Sequence, residues 1–385
     1  MIHKESIQEL DASSIPLTRI SWEPDVTEKL EAWTRQTAIG NYQDLTPALE
    51  TEFEQRLNRP CIAVSSGTAA LHLALRLLNL KPGTEVIIPT LTYAACANVV
   101  LYEGLKPVFC DAHPQTWCLD VDKLNDLINK RQKTGAHIGA LMAVHLYGQA
   151  CSMREIQKIC QNYDIPIIED VAQALGGKYN SNELGNVGDY ACFSFNANKV
   201  LSGMGGGLLA LRNKEEKKDV RNVIRHGRLP FEKGVSQYVH QTLGFNYQIS
   251  GHSSALIHFQ LPHLEQRLEQ KKALFDKYKE AFKEDDWLKP QGDPQSKNHA
   301  RWLSSFEVAG RSRDSLCRYL NENGIDARAA FKPLHTQPAY QGATHDGGQN
   351  AERIASNGIC LPSPCNLTEQ EQEKVIKTVE RWHIR

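Results

Sequence analysis

Between about Ala63 and Arg212 the chain alternates short β-rich runs with helical segments, and no other feature narrows its possible folds as far. Val86-Ile87-Ile88-Pro89, Pro107 to Asp111, Ala140 to Tyr147, Ile165 to Asp170, Tyr190 to Phe195 and Gly207 to Leu211 are the predicted strands. Thr68 to Leu80, Ala94 to Gly104 and Met153 to Tyr163 are the predicted helices between them. Apolar strands separated by helices give an α/β fold with a mainly parallel sheet covered on both faces, because each crossover lays a helix across the sheet.

At 385 residues the chain is longer than one compact core usually holds. We expect a large unit over residues 1–250 and, over 251–385, linking helices and a smaller α+β unit. After Ser250 the segments become long and charged, and Pro262 is placed to break one helix after Leu261 and open the next. Asp285 to Asn298, rich in Pro, Gly, Asp and Lys, is predicted to be a loop leading to a first strand at Trp302 to Val308. Thr368-Glu369-Gln370-Glu371 is a capping box that opens the last helix.

A formal charge of −1 gives no electrostatic basis for nucleic acid or an anionic membrane as partner. The basic stretch Lys214 to Arg228 also carries Glu215, Glu216 and Asp219, and is expected to be a solvated helix face. Met1 to Glu5 has no apolar leader pattern and no stretch suits a bilayer crossing, so a cytoplasmic location is expected. Several of the ten cysteines, among them Cys96, Cys110 and Cys192, sit inside apolar runs without zinc-ligand spacing. Buried thiols and no metal site are the expectation.

Chemistry concentrates around Lys199. It lies past the apolar run Ile167-Ile168-Glu169-Asp170 and just before the glycine cluster Gly203-Met204-Gly205-Gly206-Gly207. Earlier, Val64-Ser65-Ser66-Gly67-Thr68 leads from a strand into an apolar helix, where free N–H groups and the helix dipole suit a phosphate. Gly67 permits close backbone approach and Thr68 can add a hydroxyl; an ordinary helix cap is the alternative. Ser194 is either a further donor or a pleat residue. Asp170 ends an apolar strand, a costly place for a carboxylate unless a cation such as a protonated pyridine meets it, or unless it caps a following helix. Gln173 follows on the same turn, near where a ring hydroxyl would lie. Tyr93 either stacks on a ring or belongs to the core. Lys199, unless it is a surface lysine, is the amine that would hold an aldehyde cofactor as an imine and then move protons. The cofactor with these needs is pyridoxal phosphate.

Together these residues resemble the DegT/DnrJ family of pyridoxal-phosphate-dependent sugar aminotransferases, of the aspartate-aminotransferase-like fold type I group. The resemblance runs through Ser66 to Leu71, Pro89 to Tyr93, Val144 to Gly148, Glu169 to Ala174, Phe193 to Phe195 and Leu361 to Pro364. It implies that Lys199 anchors the cofactor, Asp170 binds its ring nitrogen, Gln173 sits at its ring oxygen, and Gly67, Thr68 and Ser194 hold its phosphate. Gly244 to Ser250 is similar to the family stretch whose asparagine, here Asn246, reaches the neighbouring subunit's phosphate, which implies a homodimer with shared sites. A lysine at 199 sets the chain apart from the family's dehydratase branch, which has histidine there. Where relatives carry Glu-Gly-Gly, this chain has Gly205-Gly206-Gly207. The cluster precedes a strand, so it is not a dinucleotide fingerprint.

The resemblance further implies a two-stage transamination. L-glutamate would become 2-oxoglutarate as pyridoxal phosphate becomes pyridoxamine phosphate, and the amine would then replace a ketone on a nucleotide-linked deoxysugar. Ala327 to Pro338 is more similar to the 4-keto than to the 3-keto branch, so Phe331, Lys332 and His335 are candidates for the sugar side, with a plain loop as the alternative. Arg225-His226-Gly227 resembles a loop near the nucleotide, or is a helix end. Other acceptors, such as a cyclitol or a keto sugar acid, remain open. So does a non-catalytic cofactor-binding regulator, although no DNA-binding helix pair or basic arm is present in the sequence.

Overall fold

The computed structural model describes residues 14–40, 43–230, 238–284, 286–292 and 299–384. Its large sheet runs in the order Cys61–Val64, Gly207–Ala210, Tyr190–Ser194, Ile167–Asp170, Ile138–Val144, Glu85–Pro89, Lys106–Cys110, Thr344–Asp346. Neighbours are parallel except at Gly207–Ala210, which is antiparallel to both strands it touches.

Alternate residues of one strand feed two cores. Ile87 packs with Phe53, Leu141 and Phe193 on one face, whereas Val86 and Ile88 pack with Leu71, Val99 and Ile168 on the other. A strand buried on both faces has no solvent side, which is why these runs are apolar throughout instead of alternating. Since the parallel strands share one direction, the loops after Val64, Pro89, Val144, Asp170 and Ser194 gather at a single edge. Gly207 starts the reversed strand from that same edge.

The C-terminal unit has an antiparallel sheet in the order Leu288–Pro290, Ser304–Val308, Gly358–Leu361, Arg328–Ala329. Its core includes Phe275, Tyr278, Phe306, Leu316 and Val375. Chain order and spatial grouping part company twice. Ile15 joins this C-terminal core and bridges to Ile325, while Thr344–Asp346 extends the large sheet beside Lys106–Cys110.

Several sequence expectations need correction. The predicted strand Ala140 to Tyr147 stops at Val144, because the chain turns through Leu146–Gly148 with Tyr147 at φ 55°. The helix predicted over Thr68 to Leu80 spans Gly67–Leu77, and Asn79 just beyond it is left-handed at φ 49°. Asp285 to Asn298 is not all loop: Leu288–Pro290 pairs with Ser304–Val308, while residues 285 and 293–298 lie outside the described residues. The small unit therefore begins a strand earlier than Trp302 to Val308. The basic stretch is not simply a solvated face. Its helix, Glu215–Val223, is docked through Lys217 on Glu54 and Arg221 on the buried Glu50, each at 2.6 Å.

Other expectations are met. Pro262 sits in a 3₁₀ turn, Leu261–His263, between helices Gly251–Gln260 and Leu264–Ala281. The capping box closes both ways, with Thr368 N–H donating to Glu371 at 2.8 Å and Glu371 N–H donating to the Thr368 hydroxyl at 3.2 Å. Cys96, Cys110 and Cys192 are buried thiols. The N-terminal stretch Met1 to Glu5 lies outside the described residues. Among the described residues no helix is long and apolar enough to cross a membrane.

Candidate active site

The strand-end loops surround a cavity of about 510 Å³, and Asp170 and Lys199 both line it. At one wall helix Gly67–Leu77 begins. Ser66 is extended and its hydroxyl accepts the Ala69 N–H at 3.1 Å, so the cap expected as the plain alternative does form. The first-turn N–H groups that no intrahelical carbonyl satisfies open beside it. A Cβ at Gly67 would lie 2.8 Å from Ser194 Cβ, so glycine is required for the close approach of this turn to strand Tyr190–Ser194. Ser66, Thr68 and Ser194 line the same wall.

The glycine cluster clamps this wall. Gly206 N–H donates to Ser65 O at 2.9 Å, and its carbonyl accepts the Phe195 N–H at 3.0 Å. A Cβ at Gly207 would stand 2.4 Å from the Ser66 carbonyl carbon. At Gly205 the nearest atom to an added Cβ is Ser253 Oγ at 4.0 Å, so the position faces open space.

Asp170 is buried, with Oδ1 accepting the Ala172 N–H at 2.9 Å and Oδ2 accepting the Cys96 thiol at 3.2 Å. The segment it caps is a turn, not a helix. Burial, and then the Asp170 carboxylate, push the Cys96 thiol well above its usual pKa, so it stays protonated as a donor. Glu169, beside it in sequence, points to the opposite face. It accepts His145 Nε2 and the Gly185, Val187 and Gly188 N–H groups within 3.1 Å.

Lys199 retains partial exposure because it opens on the cavity. Its ammonium is nonetheless surrounded by protein, and burial drives its pKa down to about 8 against the opposing pull of Asp170. Nζ sits 4.0 Å from the centre of the Trp302 ring. Gln173 Oε1 accepts the Tyr147 N–H at 2.9 Å, which leaves its amide NH₂ as the donor end.

Tyr93 is not a core aromatic. It is 62% exposed and lines the cavity 6.1 Å from Phe331, which in turn lies 5.2 Å from the buried Tyr147 ring. Four predicted residues are not brought into the cavity. Lys332 is exposed away from it. His335 is pinned instead by Thr90 Oγ1 at 2.6 Å, Glu352 at 3.0 Å and a stacked His345. Asn246 and Arg225 form an isolated antiparallel β-bridge with each other and do not line this chain's own cavity.

Leu17, Thr18 and Trp302 also line the cavity without a mark in the local sequence, and Arg328 joins them from within the Ala327 to Pro338 stretch, where it was not singled out. Tyr147 lies within the quoted Val144 to Gly148 motif, but its positive φ is invisible there. Among the described residues no cluster of three or more His, Cys, Asp or Glu side chains is placed to hold a metal.

The model of the DegT/DnrJ/EryC1/StrS aminotransferase family matches residues 23–380. EpsN of Bacillus subtilis is 36% identical over 351 residues, covering 90% of this chain and 89% of its own. The GDP-perosamine synthase of Caulobacter vibrioides is 32% identical over 345 residues, covering 86% and 89%. A crystal structure of a DegT DnrJ EryC1 StrS aminotransferase from Brucella abortus superposes with a TM-score of 0.86 at 30% identity, covering 94% of this chain and 96% of that one. The chain belongs to the DegT/DnrJ/EryC1/StrS aminotransferase family, and is a fold type I, pyridoxal-phosphate-dependent sugar aminotransferase. The cavity fits that cofactor: a lysine that is partly neutral near pH 8, a buried carboxylate and a helix N-terminus where no Cβ has room share one space.

Proposed function

We propose that this sugar aminotransferase takes its amino group from L-glutamate and delivers it to the 4-keto carbon of a nucleotide-linked deoxysugar, with Lys199 as cofactor anchor and proton carrier. The observation that carries the reading is the common cavity of Lys199, Asp170 and the Gly67 turn. Bound pyridoxal phosphate supplies the electron sink that lets a proton leave the carbon next to the amino nitrogen.

The chain's own groups do the rest. The Gly67 turn, Thr68 and Ser194 would bind the phosphate, with Asn246 of one subunit reaching the site of the other in a homodimer. Asp170, held in place by Cys96 and the Ala172 N–H, would keep the ring nitrogen protonated. Gln173 would donate its amide NH₂ to the ring oxygen. Lys199, near balance between charged and neutral forms, would take the proton from the donor's α-carbon onto Nζ and give it up to the cofactor carbon that had carried the aldehyde. Tyr93 and Phe331 form the apolar side of the mouth. Arg328, exposed and also on the wall, pairs with the half-buried Asp326 at 2.9 Å, a weak pair that an acidic donor's carboxylate can replace. The 4-keto assignment is supported by the resemblance of Ala327 to Pro338. Lys332, His335 and Arg225 keep no role within this subunit's cavity.

The purified protein loaded with pyridoxal phosphate should show a visible-range absorbance band that L-glutamate bleaches with release of 2-oxoglutarate. Nucleotide-linked 4-keto sugars should then restore the band. Lys199→Ala should lose both the band and the response. A variant band equal to wild type and equally bleached by glutamate would refute the assignment, and restoration by cyclitol ketones or keto sugar acids alone would refute the acceptor.

A further inference from the structure

We propose that the face of the Trp302 indole is the seat of the Lys199 amine whenever that amine is free, which makes Trp302 a positioning residue for proton transfer. This rests on the role given to Lys199 above. The contact of 4.0 Å between Nζ and the ring centre is well inside the range over which a ring face attracts an ammonium.

Trp302 is buried and held at several points. Its Nε1–H donates to Asn198 O at 2.7 Å, in the same loop as Lys199. Its ring stacks on Tyr147 with an interplanar angle of 20°. Its carbonyl accepts Lys271 Nζ at 3.0 Å, and the same ammonium donates to Ser363 O at 2.7 Å. Lys271 is thus a buried cation, 4% exposed, whose hydrogen bonds among the described residues go to carbonyls. Such burial is costly, and what it secures is the backbone of the residue that faces Lys199. Gly148 permits the approach, since a Cβ there would stand 2.8 Å from Trp302 N.

The surrounding charges show why a ring suits this place. Asp170 favours the ammonium from the sheet side. Behind Lys199 a small chamber is lined by Arg267, which is paired with Glu23, by Lys271, and by Arg19, which is paired with Glu371. In front, Tyr93, Tyr147, Arg328 and Cys360 line the main cavity. A second carboxylate in contact would hold the amine charged and resist its covalent use. An indole face does not titrate, and it holds the ammonium without a directional bond that must break.

The test uses apoprotein mixed with pyridoxal phosphate, following the rate at which the visible band appears across pH. The neutral amine is the reactive form, so the midpoint of the rate profile follows the Lys199 pKa, and the cofactor's own ionisations are common to every variant. Trp302→Leu should move the midpoint to lower pH by about one unit, the shift expected from losing a desolvated cation–ring contact. Trp302→Phe should move it in the same direction by less. Slower rates at an unmoved midpoint in Trp302→Leu, with Trp302→Phe also unmoved, would mean that Trp302 only shapes the wall, and would overturn the proposal. A wild-type protein that forms no band overturns the Lys199 reading together with this one.

Discussion

Glu169→Gln is the substitution whose cost the structure fixes most tightly. The carboxylate has no exposed surface. Oε1 accepts the Val187 and Gly188 N–H groups at 2.8 and 2.6 Å, and Oε2 accepts the Gly185 N–H and His145 Nε2 at 3.0 and 3.1 Å. His145 cannot turn acceptor at Nε2, because its Nδ1 already accepts the Cys151 N–H at 3.1 Å. Whichever way the new amide turns, its NH₂ faces two donors. Leaving a buried donor unpaired costs about 1–3 kcal/mol, so the pair costs about 2–6 kcal/mol. Against a total stability of about 5–15 kcal/mol this is a large fraction. At about 2 °C per kcal/mol the thermal midpoint at pH 7 should fall by about 4–12 °C. The pH dependence has a fixed sign. Burial pushes Glu169 up, but the His145 bond and the N–H groups of Gly188 and Gly185 outweigh it, so its pKa in the fold lies below the ordinary 4.5. The carboxylate therefore contributes its full share above pH 4.5 and loses it as pH falls through the lower folded value. The difference between wild type and variant should shrink on acidification below pH 4.5. A midpoint within about 1 °C of wild type at pH 7, or a difference that grows in acid, would show that the donors find other partners and that the accounting is wrong.

Two further tests probe the phosphate wall and the tie between the chain's ends. Gly67→Ala places a Cβ 2.8 Å from Ser194 Cβ, and relieving it by moving either wall should cost about 1–3 kcal/mol of stability and roughly tenfold or more in pyridoxal phosphate affinity; a spectrophotometric titration superimposable on wild type would refute the close-approach explanation. Arg19 bonds Glu371 at 2.5 Å and holds its carboxyl down to about 2. The stability from this half-exposed pair should be at most about 1 kcal/mol, complete above pH 4.5 and lost as pH falls toward 2, so Glu371→Gln should differ from wild type at pH 6 and converge with it near pH 2 in urea titrations.

Much of the site was legible because its residues sit at strand ends. A parallel sheet sends every strand terminus to one edge, so knowing the strands was enough to bring Gly67, Tyr93, Asp170, Gln173, Ser194 and Lys199 toward a common space. Boundary errors followed where a residue left the regular pattern without a sequence mark, as Tyr147 does at φ 55°. The substrate-side candidates fared differently because they were taken from the likeness of one segment. Lys332 and His335 lie in a stretch that resembles a sugar-binding loop, yet the ring of His335 is held between Thr90 and Glu352 and packs so closely on Gly348 that a Cβ added there would come within 2.6 Å of it.

What the sequence hid is the contribution of segments that arrive from elsewhere. Trp302 is 103 positions from Lys199, and nothing in its neighbours marks it, because its position is decided by three remote events. Gly148, at φ 97°, lets the residues around Ala300 to Trp302 close on the turn after Val144, and Ala300 N–H donates to the Gly148 carbonyl at 3.0 Å. Lys271 reaches the Trp302 carbonyl from a helix of the linking region. Asn198 accepts the indole N–H from the lysine's own loop. Each contact is ordinary taken singly, and the two backbone contacts could be satisfied with the indole turned away, whereas the Asn198 bond orients the ring. Only their coincidence sets the ring 4.0 Å from the Lys199 nitrogen, so the residue that faces this amine is specified by tertiary packing, whereas Lys199 itself stands out by local pattern.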